Sequence, residues 1–158
     1  MKMYRQHIVQ YQQQPFYQAQ DESLPKAIIC DLDGTLALVQ HRQRTDYRLC
    51  HTDGINQPIA DLLTTYAQLG YAILLLSDRP ETVRQATHNW LQYNRIAFDK
   101  LLLRPLNDTR KETLVKKDLY QQLKDHYCIA FVLDDRPEAV DCWRLELGLP
   151  CLQVNYGD

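Results

Sequence analysis

The chain has 158 residues, 45% of them hydrophobic and 24% charged, with a formal net charge of −2. That length supports one well-buried core and excludes two ordinary domains, while the charge excludes a broad electrostatic grip on nucleic acid and leaves room only for a local basic cleft. Five cysteines (Cys30, Cys50, Cys128, Cys142, Cys151), odd in number and without CxxC spacing, suggest neither a disulfide framework nor a zinc site.

In chain order, residues 1–25 are glutamine-rich ("QYQQQPFYQAQ") and lack sustained periodicity. They are expected to form a poorly ordered arm or packed extension. From residue 26 to 158 short apolar runs alternate with amphipathic stretches: AIICDL, PIADLLTTYAQLG, YAILLLS, PETVRQATHNWLQYN, KLLLRP, KETLVKKDLYQQLKDH, CIAFVLDD, PEAVDCWRLELG and CLQV. This alternation predicts an α/β three-layer sandwich with a central parallel sheet. Pro58, Pro80 and Pro137 mark first helical turns, and Gly70 and Gly148 follow last turns. YAILLL, the longest apolar run, is far too short to span a membrane, and no apolar stretch follows Lys2 to act as a signal sequence. The expectation is a cytoplasmic protein with no membrane association.

In such folds ligands collect where the strands end. AIIC is followed by Asp31-Leu32-Asp33-Gly34-Thr35, AILLL by Ser77-Asp78-Arg79, and AFVL by Asp134-Asp135-Arg136. The four carboxylates of Asp31, Asp33, Asp134 and Asp135 on one sheet edge repel one another unless a cation sits among them. Oxygen ligands without histidine or cysteine favour magnesium, which binds through a few carboxylates plus substrate phosphate. Asp31 can then attack phosphorus to form an aspartyl-phosphate. Asp33 can protonate the leaving oxygen and later take a proton from water, provided that neighbouring negative charge keeps it protonated for part of the cycle. Gly34 permits a close turn, Thr35 can cap the next segment, and Ser77 with a lysine can neutralise phosphoryl oxygens.

DxDGT after an apolar strand, a serine ending the next, a downstream lysine and an Asp-Asp pair resemble the haloacid dehalogenase (HAD) superfamily of aspartate-nucleophile phosphatases. DLDGTLA, YAILLLSDRP, DTRKETLVKKDLY and LDDRPEAVDCWR are similar, in the same order and at near-identical spacing, to blocks of the 3′-phosphatase domain of phage-type polynucleotide kinase-phosphatases. The resemblance covers roughly residues 26–158. It implies a HAD-like Rossmannoid core, Asp31 as nucleophile, Asp33 as general acid-base, and Ser77 and Lys116 on the phosphate. Magnesium is implied on Asp31, the main-chain carbonyl of Asp33, Asp134 and Asp135. Thr35, Arg42, Asp53 and Arg79 form the implied substrate-binding set, the last three matching family positions important for substrate or site geometry, and Lys116 is preferred over Lys111 and Lys117 by its spacing from DTRK. Two positions depart from the family pattern: Asp78 replaces a usual glycine and Glu112 a usual aspartate. The chain contains no GxxxxGK[ST] loop, so a phosphatase without a kinase half is expected.

The stretches 37–58 and 79–104 have no room for a cap domain. An uncapped site is open to a polymer end, with Arg42, Arg44, Arg48 and Arg79 tracking adjacent phosphates and Tyr47 stacking on a base. Trp90 and Trp143 are expected in the core. The function expected is removal of terminal 3′-phosphate from nucleic acid ends in repair. A phosphatase of a small metabolite or nucleotide, closed by a partner or by the arm, is the alternative within the class, and a non-catalytic module binding phosphorylated ends the alternative outside it.

Overall fold

The computed structural model describes residues 17–155. Seven strands, β1 (Lys26–Cys30), β2 (Ala37–Leu38), β3 (Gly54–Ile55), β4 (Ala72–Pro80), β5 (Lys100–Arg104), β6 (Cys128–Asp134) and β7 (Cys151–Gln153), alternate with four helices. These are α1 (Gln57–Gln68), α2 (Arg84–Tyr93), α3 (Glu112–Gln121) and α4 (Pro137–Asp141), the last running into a π-helical turn over Cys142–Glu146. Five strands make one sheet in the order β5-β4-β1-β6-β7, every pair parallel.

The apolar runs are continuous because both sheet faces are covered. Side chains alternate across a strand, so Ala27 and Ile29 pack with Leu74, Leu76, Val115, Leu119 and Trp143 beneath α3 and α4. Ile28 and Cys30 face the other way, with Ile73, Leu75, Leu63, Trp90 and Leu91 beneath α1 and α2. The three layers follow from period-two strands carrying apolar residues at every position.

The chain leaves β1 for β4 and β5 on one side, then returns past β1 to β6 and β7 on the other. The reversal beside β1 opens a crevice at its carboxyl end, between the ends of β4 and β6. Between β1 and α1 stand only the β2–β3 ribbon and a 3₁₀ turn over Tyr47–Thr52, and between β4 and β5 only a 3₁₀ turn and α2. Neither connection inserts a cap.

Pro58 and Pro137 lie in first helical turns as the sequence suggests, and Gly70 and Gly148 have positive φ. Pro80 does not: β4 runs through it and α2 starts at Arg84, because β4 stays paired to β5 after a register shift between Ser77 and Pro80. Of the expected arm, residues 1–16 lie outside the described residues. Residues 17–25 lie against the domain, where the Gln18 amide donates to the Gly148 carbonyl at 2.9 Å and the Gln20 side chain exchanges hydrogen bonds of 2.8 and 2.6 Å with the Ile129 main chain. Among the described residues no helix is long and apolar enough to cross a membrane.

Candidate active site

The ends of β1 and β4 bring Asp31, Asp33, Ser77 and Asp78 to one cavity of about 250 Å³, which Arg44, Thr45 and Tyr47 also line; Lys116, Asp134 and Asp135 lie outside that lining. Glu112 and Arg136 complete the lining from the α3 and α4 side. β1 delivers Asp31 and Asp33 through a tight turn, in which the Gly34 amide donates to the Ala37 carbonyl at 2.8 Å and the Thr35 amide to the Leu32 carbonyl at 3.1 Å. Gly34 has φ +93°, and a Cβ there would run into the Asp135 carboxylate and Arg44. Glycine is required on both counts.

Asp31 is buried beside Lys116, whose Nζ lies 3.2 Å from Asp31 Oδ1. The same ammonium contacts Glu112 at 2.6 Å and Asp134 at 2.7 Å. α3 explains this, because Glu112 and Lys116 are one turn apart on the face that Val115 and Leu119 turn toward the sheet. Lys117 pairs instead with Glu146 on the surface, and Lys111 is exposed at the start of α3. Burial pushes the Asp31 carboxyl well above the usual carboxylate range; Lys116 opposes this, and Asp134, Glu112 and Asp135 add to it. Burial works against the Lys116 charge, yet the three carboxylates outweigh it and hold the ammonium well above its ordinary value. Lys116 is therefore charged at neutral pH.

Asp33 is held by two guanidiniums. Arg79 donates from Nε and Nη2 to its Oδ1 at 2.8 and 2.6 Å, and Arg42 donates from Nη2 to its Oδ2 at 2.9 Å. Asp53 closes the network, accepting from Arg42 at 2.9 and 2.7 Å and from Arg79 at 2.9 Å. The expected negative neighbours of Asp33 are thus replaced by cations as its bonded partners. Trp90, in the core as expected, supports the network from behind: its indole donates to the Asp53 carbonyl at 2.7 Å, and the Arg79 guanidinium lies 5.7 Å from its ring centroid.

For Arg42, Asp53 and Arg79 the geometry fits a part in shaping the site better than direct substrate contact. The Arg42 and Arg79 side chains are 0% exposed and that of Asp53 is 1% exposed, so none presents a surface to a row of phosphates. They hold Asp33. Thr35 is also fully buried, its hydroxyl donating to Asp135 Oδ1 at 3.3 Å. Arg48 is exposed and bonded to Asp46, away from the cavity. Arg44 alone of the four predicted arginines lines the cavity. Tyr47 has one side of its ring near the Arg42 guanidinium, 5.7 Å from the centroid, and its hydroxyl donates to Asp78.

The oxygen donors fit a hard divalent cation. The Asp33 carbonyl and both Asp135 carboxylate oxygens converge on one point, where Arg44 Nη2 donates at 2.5, 3.1 and 2.9 Å. Carboxylate oxygens of Asp31, Glu112 and Asp134 also lie within 4.8 Å of one another, around Lys116. Asp134 and Asp135 differ in their engagement. Asp134 is fully buried and its Oδ2 accepts from both Lys116 and the Trp143 indole, at 2.7 and 2.9 Å, whereas Asp135 turns toward the Asp33 carbonyl. Burial pushes Asp135 up, with Arg44 pulling against it and Asp134 adding to the rise.

The indole bond of Trp143 was not legible in the sequence, because it depends on the π turn at Cys142–Glu146 that rotates this core residue toward Asp134. Glu112 was visible only as a departure from a family pattern. Arg104 and Arg136 were visible as polar residues at strand ends, but their pairing with Asp78 and Glu112 respectively was not.

A family model described as the polynucleotide kinase PNKP phosphatase domain, of the HAD group, matches residues 25–158. The chain belongs to this HAD phosphatase family. It is 32% identical over 141 residues to a protein of Autographa californica nuclear polyhedrosis virus named as a bifunctional polynucleotide kinase/RNA ligase, covering 85% of this chain and 20% of that one. Among solved structures, a component of the Pnkp1/Rnl/Hen1 complex superposes with a TM-score of 0.90 at 44% identity, over 93% of this chain and 52% of that one. A second structure of that RNA repair complex agrees equally well, at 48% of its chain. A class C acid phosphatase from Bacillus anthracis shares the fold alone, with a TM-score of 0.60 at 16% identity over 86% of this chain and 67% of that one. The phosphatase domain thus spans about half of its structural relatives' chains and a fifth of the viral one.

Proposed function

We propose that the domain removes terminal 3′-phosphate from nucleic acid ends in repair, as a magnesium-dependent phosphatase working through an aspartyl-phosphate on Asp31. The observation that carries this reading is the opening of Asp31, Asp33 and Ser77 into a cavity of about 250 Å³ that no inserted cap closes. Pockets that enclose whole small molecules typically measure about 300–1,000 Å³. A smaller open cavity suits a phosphate and the sugar that bears it, with the rest of a chain lying outside. The family description, the viral kinase/ligase and the RNA repair complexes point the same way.

In the proposed mechanism an Asp31 carboxylate oxygen attacks phosphorus and the sugar oxygen leaves. Asp33, aimed by Arg42 and Arg79, delivers a proton to that oxygen, then takes one from the water that hydrolyses the aspartyl-phosphate. Lys116 and Ser77 hold phosphoryl oxygens as charge develops on them. Magnesium would be held by Asp31, the Asp33 carbonyl and Asp135, with Asp134 positioning Lys116, and would neutralise charge on the transferring phosphoryl group.

The test is phosphate release, with and without magnesium, from matched 3′- and 5′-phosphorylated oligonucleotides and a small aryl phosphate, with Asp31→Asn as blank. Magnesium-dependent release selective for the 3′ end, absent in the variant, is expected. Equal release from both ends, or release from the aryl ester alone, would remove the proposed substrate and favour a small-metabolite phosphatase. Tight binding of phosphorylated ends without turnover would favour a non-catalytic module.

A further inference from the structure

Four carboxylates line the cavity, and three have evident work: Asp31 and Asp33 in the chemistry, Glu112 on Lys116. Asp78 is left over. A pocket that receives a phosphate dianion gains nothing electrostatically from a further negative wall, so the placement of Asp78 calls for a hydrogen-bond donor in the substrate.

The placement is built into the fold. In a regular strand Ser77 and Asp78 would point to opposite faces, yet both line the same cavity. The register shift between Ser77 and Pro80, where β4 carries extra residues against β5, turns the pair inward. Asp78 Oδ1 is anchored by Arg104, itself fixed by the carbonyls of Asp108 and Arg110 at 2.9 and 2.8 Å. Among the described residues Asp78 Oδ2 receives only the Tyr47 hydroxyl, at 3.3 Å. A carboxylate oxygen accepts about two hydrogen bonds, so one acceptor site is open toward the cavity. The Tyr47 hydroxyl gives its one proton to Asp78 and keeps an acceptor lone pair, so the pair offers acceptors to an alcohol that donates.

We propose that Asp78 and Tyr47 form a hydroxyl-binding subsite for the ribose 2′-hydroxyl next to a terminal 3′-phosphate, making the domain selective for RNA ends over DNA ends. The proposal rests on the 3′-phosphatase reading above. Asp78 directly follows Ser77, about 3.8 Å along the chain. In a ribonucleotide the 2′-hydroxyl sits on the carbon adjacent to the phosphate-bearing one, so it is the substrate's first polar group beyond the phosphate. A deoxyribose end offers no donor there and covers the Asp78 carboxylate without replacing its water, and sites that lose a designed hydrogen bond in this way discriminate strongly. The Asp78 side chain keeps 27% exposure and its Tyr47 contact, so about 10- to 100-fold selectivity is expected, less than the largest values known for fully enclosed sites.

The experiment compares kcat/KM for 3′-phosphorylated oligonucleotides that differ only in the terminal sugar: ribose, 2′-deoxyribose or 2′-O-methylribose. The enzymes are the parent chain, Asp78→Ala and Tyr47→Phe, each checked by its melting curve. The parent is expected to favour ribose by about 10- to 100-fold, with 2′-O-methylribose grouped with deoxyribose. Asp78→Ala should bring the ribose/deoxyribose ratio near one, chiefly by slowing ribose, and Tyr47→Phe should lower it partially. A merely structural role for Asp78 would slow both sugars by one factor and leave the ratio intact, which overturns the subsite. Turnover of both sugars at equal rates by the parent overturns the subsite and leaves the 3′-phosphatase standing. Failure on every oligonucleotide alongside turnover of an aryl phosphate removes both.

Discussion

Replacing Asp53 by alanine separates a residue that touches substrate from one that holds the site. Asp53 is 8% exposed as a residue and 1% in its side chain, and its carboxylate accepts three hydrogen bonds, two from Arg42 and one from Arg79. Removing it leaves two fully buried guanidiniums to share Asp33. Deleting one partner of a buried, hydrogen-bonded ion pair costs about 3–5 kcal/mol, because the remaining charge is desolvated without compensation. For a chain of this size 1 kcal/mol moves the melting temperature by roughly 2–4 °C, so Asp53→Ala should melt about 6–20 °C below the parent. Asp53→Asn, which keeps one acceptor oxygen, should fall between the two. Urea and thermal unfolding at low and high salt are the assays, since a buried network is screened far less than a surface pair. Activity should fall through kcat as Asp33 loses its aim, with KM little changed. A variant that melts within two or three degrees of the parent, as about 1 kcal/mol or less would give, and loses activity through KM would refute this reasoning and return Asp53 to the substrate.

Asp31→Asn is expected to abolish turnover while stabilising the metal-free protein at neutral pH. The Asp31 carboxyl is raised above its ordinary 3.8 chiefly by burial, against Lys116. A raised carboxyl contributes stability that is fully present below its unfolded value and is lost as pH rises through its folded value, so Asp31 favours folding less at pH 7 than at pH 4. The melting advantage of the asparagine variant should therefore shrink as pH falls toward 4, and a variant less stable than the parent at pH 7 would show that attraction to Lys116 dominates. Arg44→Gln frees the Asp33 carbonyl and Asp135 from their guanidinium. It should lower the melting temperature in chelator, and it should lower the magnesium concentration that gives half of the metal's thermal stabilisation. Unchanged metal dependence would mean that the ion does not compete with Arg44.

The sheet and its helices were legible because each apolar run is buried on both faces and each amphipathic run on one, so the local pattern and the tertiary environment agree. The strand ends that carry Asp31, Ser77 and Asp134 were legible for the same reason. What escaped the sequence depends on approach between distant segments. Arg42 and Arg79 looked like phosphate readers because charge suggests a surface, but Asp33 and Asp53 bury them, and no local pattern at residues 42 or 79 records contacts with residues 33 and 53. Asp78 was an anomaly in a motif until the register slip of β4 against β5 placed it on the cavity wall. The π turn that carries Trp143 to Asp134 reflects packing between α4 and the sheet, to which residue-level helix propensity is blind.

The proposed function asks a chain of net charge −2 to receive a phosphorylated end, and the site is compensated for this one group at a time. Lys116 answers Asp31, Glu112 and Asp134; Arg42 and Arg79 answer Asp33 and Asp53; Arg44 answers Asp135; Arg104 answers Asp78; and Arg136 supplements Lys116 at Glu112. Counted formally with every group ionised, seven carboxylates meet six cations and leave a single negative charge, which a divalent ion on these oxygens would turn to a single positive one. Under the proposed function, substrate attraction would come from metal and lysine at one spot, not from a basic surface. Weak salt dependence of KM, with strong dependence on the divalent ion, is the behaviour that distinguishes such a site from one that tracks a polyanion.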